Sequence, residues 1–363
     1  MKALFSCISP PLPSTEPTAV PSKQPSASPT FAASGLCGLT TATDISSVTT
    51  TSGSWQCVNG YPTSDPCGWQ GVTCTNGVVT SLVLNHLNLH GSVPSSLATL
   101  PSLQVLDLGS NSLTGPIPSA ISTLPLIDLI LSSNSLVGPI PSDIGKLTNL
   151  QVLSLGPNSL TGSLPTTLAN LPNLIVLQVP QTDISGPIPT ELSALTNAQD
   201  LNLAGSSLTG SIPTVLGQLT QLTSLELGNN NLVGTIPTQL ALIPGLNSLS
   251  LGANSLTGVV PSALCGHALT TLSVADPNAL TCFAPCLTSV ASFAKGSVLA
   301  CGTPTSVPTG MPTVEPSAEP TVEPTSTPSQ GASITKYLRN VFYYSNLFVL
   351  YDQSQHKMPI CVQ

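Results

Sequence analysis

Charge is scarce in this sequence. Only 6% of its 363 residues are charged, and seven Lys and Arg face fifteen Asp and Glu, giving a formal net charge of −8. Between Cys37 and Cys301 the only cations are Lys146 and Lys295, against ten acids running from Asp44 to Asp276, so this span carries the whole imbalance. A surface of that sign repels nucleic acid, which is not expected as a partner. No run of about 18 apolar residues occurs, so no segment is expected to cross a bilayer as a helix. There is no Asn-x-Ser/Thr sequon, and N-linked glycans are not expected.

Catalytic signatures are missing as well. No nucleophile-elbow serine, phosphate-binding glycine loop or His-Glu-x-x-His motif is present. His86 and His90 are four apart, but they fall in a strand-to-turn segment, where that spacing does not put them on one helical face. His267 falls towards the C-terminal end, and calcium-loop spacing of acids is absent. Asp107 and Asp128 could be imagined as a glycosidase pair, yet their positions in the sequence pattern are offset and no cleft is implied. The expectation is a protein that is not an enzyme and that needs no cofactor or metal.

What the chain does have is repetition. The stretch "LQVLDLGSNSLTGPIP" from Leu103 recurs as "LQVLSLGPNSLTGSLP" from Leu150, "LTSLELGNNNLVGTIP" from Leu222 and "LNSLSLGANSLTGVVP" from Leu246. First positions fall at Val79, Leu103, Leu126, Leu150, Leu174, Ala198, Leu222, Leu246 and Leu269, a period of 24 with two units of 23. Leu106 and Leu108 alternate with Gln104, Val105 and Asp107, the period-two signature of a short strand with one buried face. No unit could bury its leucines alone, so the units must stack. Asn111, Asn134, Asn158, Asn230 and Asn254 share a column where an amide can satisfy neighbouring backbone groups; Thr182 and Ser206 replace it, and Leu87 departs from it. Eight prolines, Pro94 to Pro261, close the units after a Gly-x-aliphatic step.

The cysteines mark the ends of the array. Cys37, Cys57, Cys67 and Cys74 precede it, and Cys265, Cys282, Cys286 and Cys301 close it. Four and four reads as two disulfide-stapled caps, each open to three connectivities, and as an oxidising compartment. Zinc is the alternative, since Cys282 and Cys286 have ligand spacing, but a second such pair and nearby histidine ligands are missing. Prolines spaced four apart, each followed by Ser or Thr, run from Pro13 to Pro29 and from Pro304 to Pro328, as expected of extended, O-glycosylated stalks. The start "MKALFSCISPPLP" is a weak leader with a short apolar run. The expected organisation is therefore leader and stalk at 1–30, a cap at 31–78, about nine repeats at 79–276, a second cap at 277–302, a stalk at 303–330 and an atypical tail at 331–363.

The units resemble plant-type leucine-rich repeats of pattern L-x-x-L-x-L-x-x-N-x-L-x-G-x-I-P. The stretch "SDPCGWQGVTCTNGVVTSLVL", with Trp69, Gly71 and Val72, is similar to the N-terminal cap of that family. The resemblance covers about Ser54 to Cys301. It implies an α/β leucine-rich repeat solenoid, a right-handed superhelix with a parallel sheet on its concave face and an extra sheet from the Gly-x-Ile-Pro region, and it joins Cys67 to Cys74. Receptor ectodomains and polygalacturonase-inhibiting proteins share this pattern; the sequence shows no membrane helix and no kinase domain. The stalks resemble those of surface proteins from diatoms and related algae.

Function is sought where side chains leave the core. The two outward strand positions carry an apolar stripe of Val105, Ile130, Val152 and Val176, with acids beside or beyond it at Asp107, Asp128, Asp200 and Glu226, and with Gln178 and Asn202 among them. An apolar patch rimmed by acids suits a protein ligand with a basic rim; β-branched residues that merely favour strands are the alternative. The expectation is a secreted or cell-surface module that binds a protein or glycan on its concave face. The alternatives are an inhibitor of wall-degrading hydrolases and a structural or ice-binding protein, the last from a polar column of Thr114, Thr161, Ser185, Thr209 and Thr257 interrupted by Val137 and Val233.

Overall fold

The computed structural model describes residues 36–37, 57–58, 61–62 and 65–301, together with two short strands, Tyr343–Tyr344 and Leu347–Phe348, that pair antiparallel. Both proline-rich stalks, the leader and most of the tail lie outside the described residues. The chain divides into two units, Met1–Thr305 and Ser306–Gln363, and the repeats belong to the first.

Each repeat makes one coil. Its first side is a short strand such as Val105–Asp107, whose middle residue Leu106 is fully buried while Val105 and Asp107 stay half-exposed. Ten such strands, from Val78–Val83 to Ser292–Ala294, pair in parallel and in chain order, and Val72–Thr75 adds an antiparallel strand at the first edge. The ladder thus extends into the C-terminal cap, where Phe293 stands opposite Leu272. A left-handed Asn76-Gly77 turn closes the hairpin of Val72–Thr75 and Val78–Val83, as strand twist favours, and leaves Val72–Thr75 as the short terminal strand of the sheet.

The second side is the return strand. Ser112–Gly115 and its counterparts form two parallel sheets, four strands from His90–Ser92 to Ser159–Thr161 and six from Ser185–Pro187 to Leu299–Ala300. Proline then sets an extended conformation, and a 3₁₀ turn follows at once, as at Ser119–Thr123 after Pro118. The helical layer of the solenoid therefore consists of 3₁₀ turns of five residues throughout the repeats. Leucine and isoleucine from all three sides fill one continuous core. Neighbouring coils approach so closely at the 3₁₀ turns that a Cβ on Gly217 would collide with the Gln239 carbonyl oxygen.

The asparagine column joins the sides. The Asn254 amide donates to the carbonyls of Leu227 and Leu251, both at 3.0 Å, and its oxygen accepts from the Leu232 N–H at 3.0 Å. Asn111, Asn134, Asn158 and Asn230 repeat the pattern, and so does Asn278, which the sequence reading left out. At Thr182 the column breaks; its hydroxyl pairs with Ser206 at 3.0 Å instead. The return sheet divides at the same coil, between Ser159–Thr161 and Ser185–Pro187.

Disulfides close both ends. Cys37 pairs with Cys57, Cys67 with Cys74, Cys265 with Cys286 and Cys282 with Cys301. The eight cap cysteines are thereby all engaged in covalent bonds. Trp69 is buried beside the Cys67–Cys74 staple and belongs to the core cluster.

Candidate ligand-binding surface

The surface is built by register. Val105 pairs with Asp128, Asp128 with Val152, Val152 with Val176 and Val176 with Asp200, so these side chains form one row across the concave sheet. The second row runs Val83, Asp107, Ile130, Ser154, Gln178, Asn202 and Glu226. All ten residues proposed from the sequence therefore lie on one face. The offset expected between Asp107 and Asp128 is also present, since Asp107 stands opposite Ile130 and Asp128 opposite Val105.

Exposure is more graded than the sequence suggests. Val105, Ile130, Val152 and Val176 are half-buried, and Ser154 is buried. Strands roughly 4.8 Å apart shield one another's side chains, so a row of valines presents its methyl ends rather than its whole surface. Val83, 40% exposed, is the most open apolar residue in the two rows.

Three of the four acids are held by neutral donors. Asp107 accepts from Asn85 Nδ2 at 2.7 Å and from the Gly109 N–H at 2.9 Å; Asp200 accepts from Gln178 Nε2 at 2.7 Å; Glu226 accepts from Ser248 Oγ at 2.9 Å. Asn202 is occupied locally by the Ala204 N–H. The carboxylate of Asp128 accepts no hydrogen bond from the described residues. Set between Val105 and Val152, it has a pKa raised above the usual 3.8 by desolvation. No cation of the described residues lies in either row: Lys146 pairs with Asp143 at 2.7 Å on a 3₁₀ turn, and Lys295 sits 5.4 Å from the Phe283 ring in the C-terminal cap. The face is therefore apolar at its centre, negative around it, and supplied with carboxylate oxygens that retain acceptor capacity.

Asn85 follows the strand Val78–Val83 and so lies outside the outward positions, while Ser248 occupies one of them, opposite Ser224, without being among the candidates; each touches its acid only across a coil boundary. The histidines take other roles. His86 sits in a left-handed turn, His90 begins a return strand, and His267 Nε2 bonds the Ala241 carbonyl at 2.9 Å.

Fold and surface together define a disulfide-capped parallel-β solenoid with a sheet face suited to binding. The family model "Leucine Rich Repeat" matches residues 102–124, 125–147, 149–171 and 221–242. A probable leucine-rich repeat receptor-like protein kinase of Arabidopsis thaliana is 53% identical over 49 residues, 14% of this chain and 7% of that protein. An inactive leucine-rich repeat receptor-like serine/threonine-protein kinase of the same plant is 40% identical over 74 residues, 20% of this chain and 11% of that protein. The chain thus spans a small part of the curated relatives it matches. Among solved structures, PEPR1–AtPEP1 aligns at TM-score 0.64 and 31% identity over 73% of this chain and 38% of that one. The Arabidopsis receptor kinase HAESA, in complex with the peptide hormone IDA and the co-receptor SERK1, aligns at 0.63 and 30% over 73% and 45%. A plant ice-binding protein aligns at 0.55 and 26% over 74% and 97%. This chain is a plant-type leucine-rich repeat protein. Among the described residues no helix is long and apolar enough to cross a membrane.

Proposed function

We propose that the protein is a secreted or cell-surface recognition module that holds a peptide segment along its concave sheet, apolar side chains on the Val105–Val176 stripe and a cationic group against the acids. The observation that carries this reading is the row Val105, Asp128, Val152, Val176, Asp200: apolar contacts flank an unpartnered carboxylate, on a face with no cation among the described residues. A desolvated carboxylate that lacks a donor gains most from a charged one supplied by a ligand. The HAESA likeness, a receptor bound to a peptide hormone, supports the same use of this fold. The disulfides support an extracellular site of action. Selection of displayed peptides on the oxidised full-length protein tests it. Enriched sequences should combine a Lys or Arg with aliphatic neighbours. Val152→Asp with Val176→Asp should weaken them by roughly a hundredfold or more, the scale of losing a central contact cluster. Selection with no such bias, or equal binding to the variant, would remove the reading.

A second reading rests on the return sheets. Thr114, Val137, Thr161, Ser185, Thr209, Val233, Thr257 and Thr281 recur at one repeat position and are all exposed, although the return strands pair two residues out of step, Thr209 standing opposite Pro187 and Asn231. This uncharged, regular face and the likeness to a plant ice-binding protein favour ordered water as its partner. Against it, Thr114, Thr257 and Thr281 spend their hydroxyls on the glycine carbonyls of the preceding coil, at 2.9, 3.3 and 3.1 Å. Thermal-hysteresis measurement on the full-length protein separates the two readings.

A further inference from the structure

The margin where the chain enters the concave sheet carries a second surface. Gln151, Asn173, Ile175, Asn197, Gln199 and Gln221 line a cleft of about 210 Å³. Gln151, Ile175 and Gln199 immediately precede the strands Val152–Ser154, Val176–Gln178 and Asp200–Asn202. Asn173, Asn197 and Gln221 stand three residues before the strands Val176–Gln178, Asp200–Asn202 and Ser224–Glu226 of their own coils. Four successive coils therefore contribute five primary amides around one aliphatic side chain.

The amides divide into fixed and free. Asn173 donates to the Thr148 carbonyl at 2.9 Å and Asn197 to the Pro172 carbonyl at 2.7 Å, which anchors both and leaves their oxygens as acceptors. The exposed side chains of Gln151, Gln199 and Gln221 make no hydrogen bond to the described residues, and each offers two donors and an acceptor. From these observations we infer that the cleft binds a neutral, 1,4-linked oligosaccharide lying along the solenoid axis, a site independent of the apolar stripe.

Three physical arguments select that ligand. A hydroxyl both donates and accepts, so adjacent sugar hydroxyls match a planar amide at both of its ends, while Ile175 faces the C–H surface of a ring. Register is the second argument: the coils repeat every ~4.8 Å across the sheet. A 1,4-linked pyranose, with linking oxygens on opposite carbons of a ring of ~1.5 Å bonds, advances by about 5 Å per unit. An extended peptide advances by only about 3.3 Å per residue and would drift out of step with the amides. Charge is the third: the lining has none, while Asp128 and Asp200 on the adjoining strands repel an anionic polymer such as a polyuronate.

The test is calorimetric titration of the oxidised full-length protein with neutral 1,4-linked oligomers of glucose, mannose, xylose and N-acetylglucosamine, two to six units long. At least one series should bind, with affinity rising to about four units, one per contributing coil, and then levelling. Gln151→Leu with Gln199→Leu should weaken that binding about tenfold. Both positions are exposed, so the circular dichroism and melting of the variant should match those of the parent protein. Val105→Asp, two coils away on the apolar stripe, should leave sugar affinity within about twofold, and the glutamine variant should keep any peptide capture. The inference is overturned if no series binds, if affinity ignores oligomer length, or if the leucine substitutions leave binding unchanged. Loss of peptide capture in the glutamine variant without sugar binding to the parent would reassign the cleft to peptide.

Discussion

Replacing Asn254 by Leu tests the amide column at the point where its bonds are best defined. The side chain is 2% exposed and makes two donor contacts at 3.0 Å, to the Leu227 and Leu251 carbonyls, a longer one at 3.3 Å to the Gly252 carbonyl, and one acceptor contact at 3.0 Å, from the Leu232 N–H. The losses at 3.0 Å dominate and are unequal. The Leu227 carbonyl keeps Asn230 as a donor and the Leu251 carbonyl keeps Asn278, so each loses one of two amide partners. The Leu232 N–H loses the only acceptor this column provides. An orphaned buried donor costs about 1–3 kcal/mol, and each carbonyl bond contributes about 0.5–1.5 kcal/mol. Leucine fills a similar volume, so the cavity penalty is small, and the expected loss is about 2–6 kcal/mol. Asn231→Leu, whose side chain is exposed one residue after another ladder member, should change stability by less than about 0.5 kcal/mol. Urea unfolding gives both values, and amide exchange at Leu232 locates the defect. Solenoids couple mainly to nearest neighbours, so a lower unfolding slope is expected alongside the shift. Equal midpoints for Asn254→Leu and the parent protein, or equal damage from Asn231→Leu, would refute the account.

Three further outcomes follow from other parts of the structure. Thr182→Asn should fill one of the two gaps in the column, Ser206 being the other, and stabilise the middle coils by about 0.5–1.5 kcal/mol in urea unfolding; no gain would mean that the break in the return sheet has another cause. Gly217→Val should strongly destabilise or prevent folding, because any Cβ there meets the Gln239 carbonyl of the next coil; soluble expression with an unchanged melting temperature would contradict this close approach. Burial raises the folded pKa of Asp128 above 3.8, so the native state holds that proton more tightly than the unfolded chain. Its contribution is most favourable below 3.8 and declines as pH rises through the folded value. Asp128→Asn should therefore stabilise the protein at about pH 7, with the advantage fading at about pH 3, and should weaken capture of cationic peptides. An advantage that grows towards low pH would reverse the sign of this argument.

Much of the architecture was legible from periodicity. Leucines two apart and coils 24 apart can be buried together only by stacking, so the parallel sheet, its register and the two outward rows follow from the sequence. Cysteine placement marked the two caps but left the pairing open in each, because spacing does not say which thiols the folded chain brings together. The helical layer was less legible: Gly-x-aliphatic-Pro announces a bend, while the tight packing of successive coils holds the five residues that follow in 3₁₀ turns.

For function, the sequence alone determined which residues occupy the concave rows, since a period of two and a period of 24 are properties of the order of residues. Tertiary structure decided what those residues are worth. It half-buried the valines against their neighbours on adjacent coils and tied Asp107, Asp200 and Glu226 to neutral donors while leaving Asp128 without one. It also gathered five amides from four coils into a cleft that no one repeat contains. Exposure, desolvation and hydrogen-bond completion depend on atoms about 24 residues away along the chain, and only the stacking of coils brings those atoms into reach.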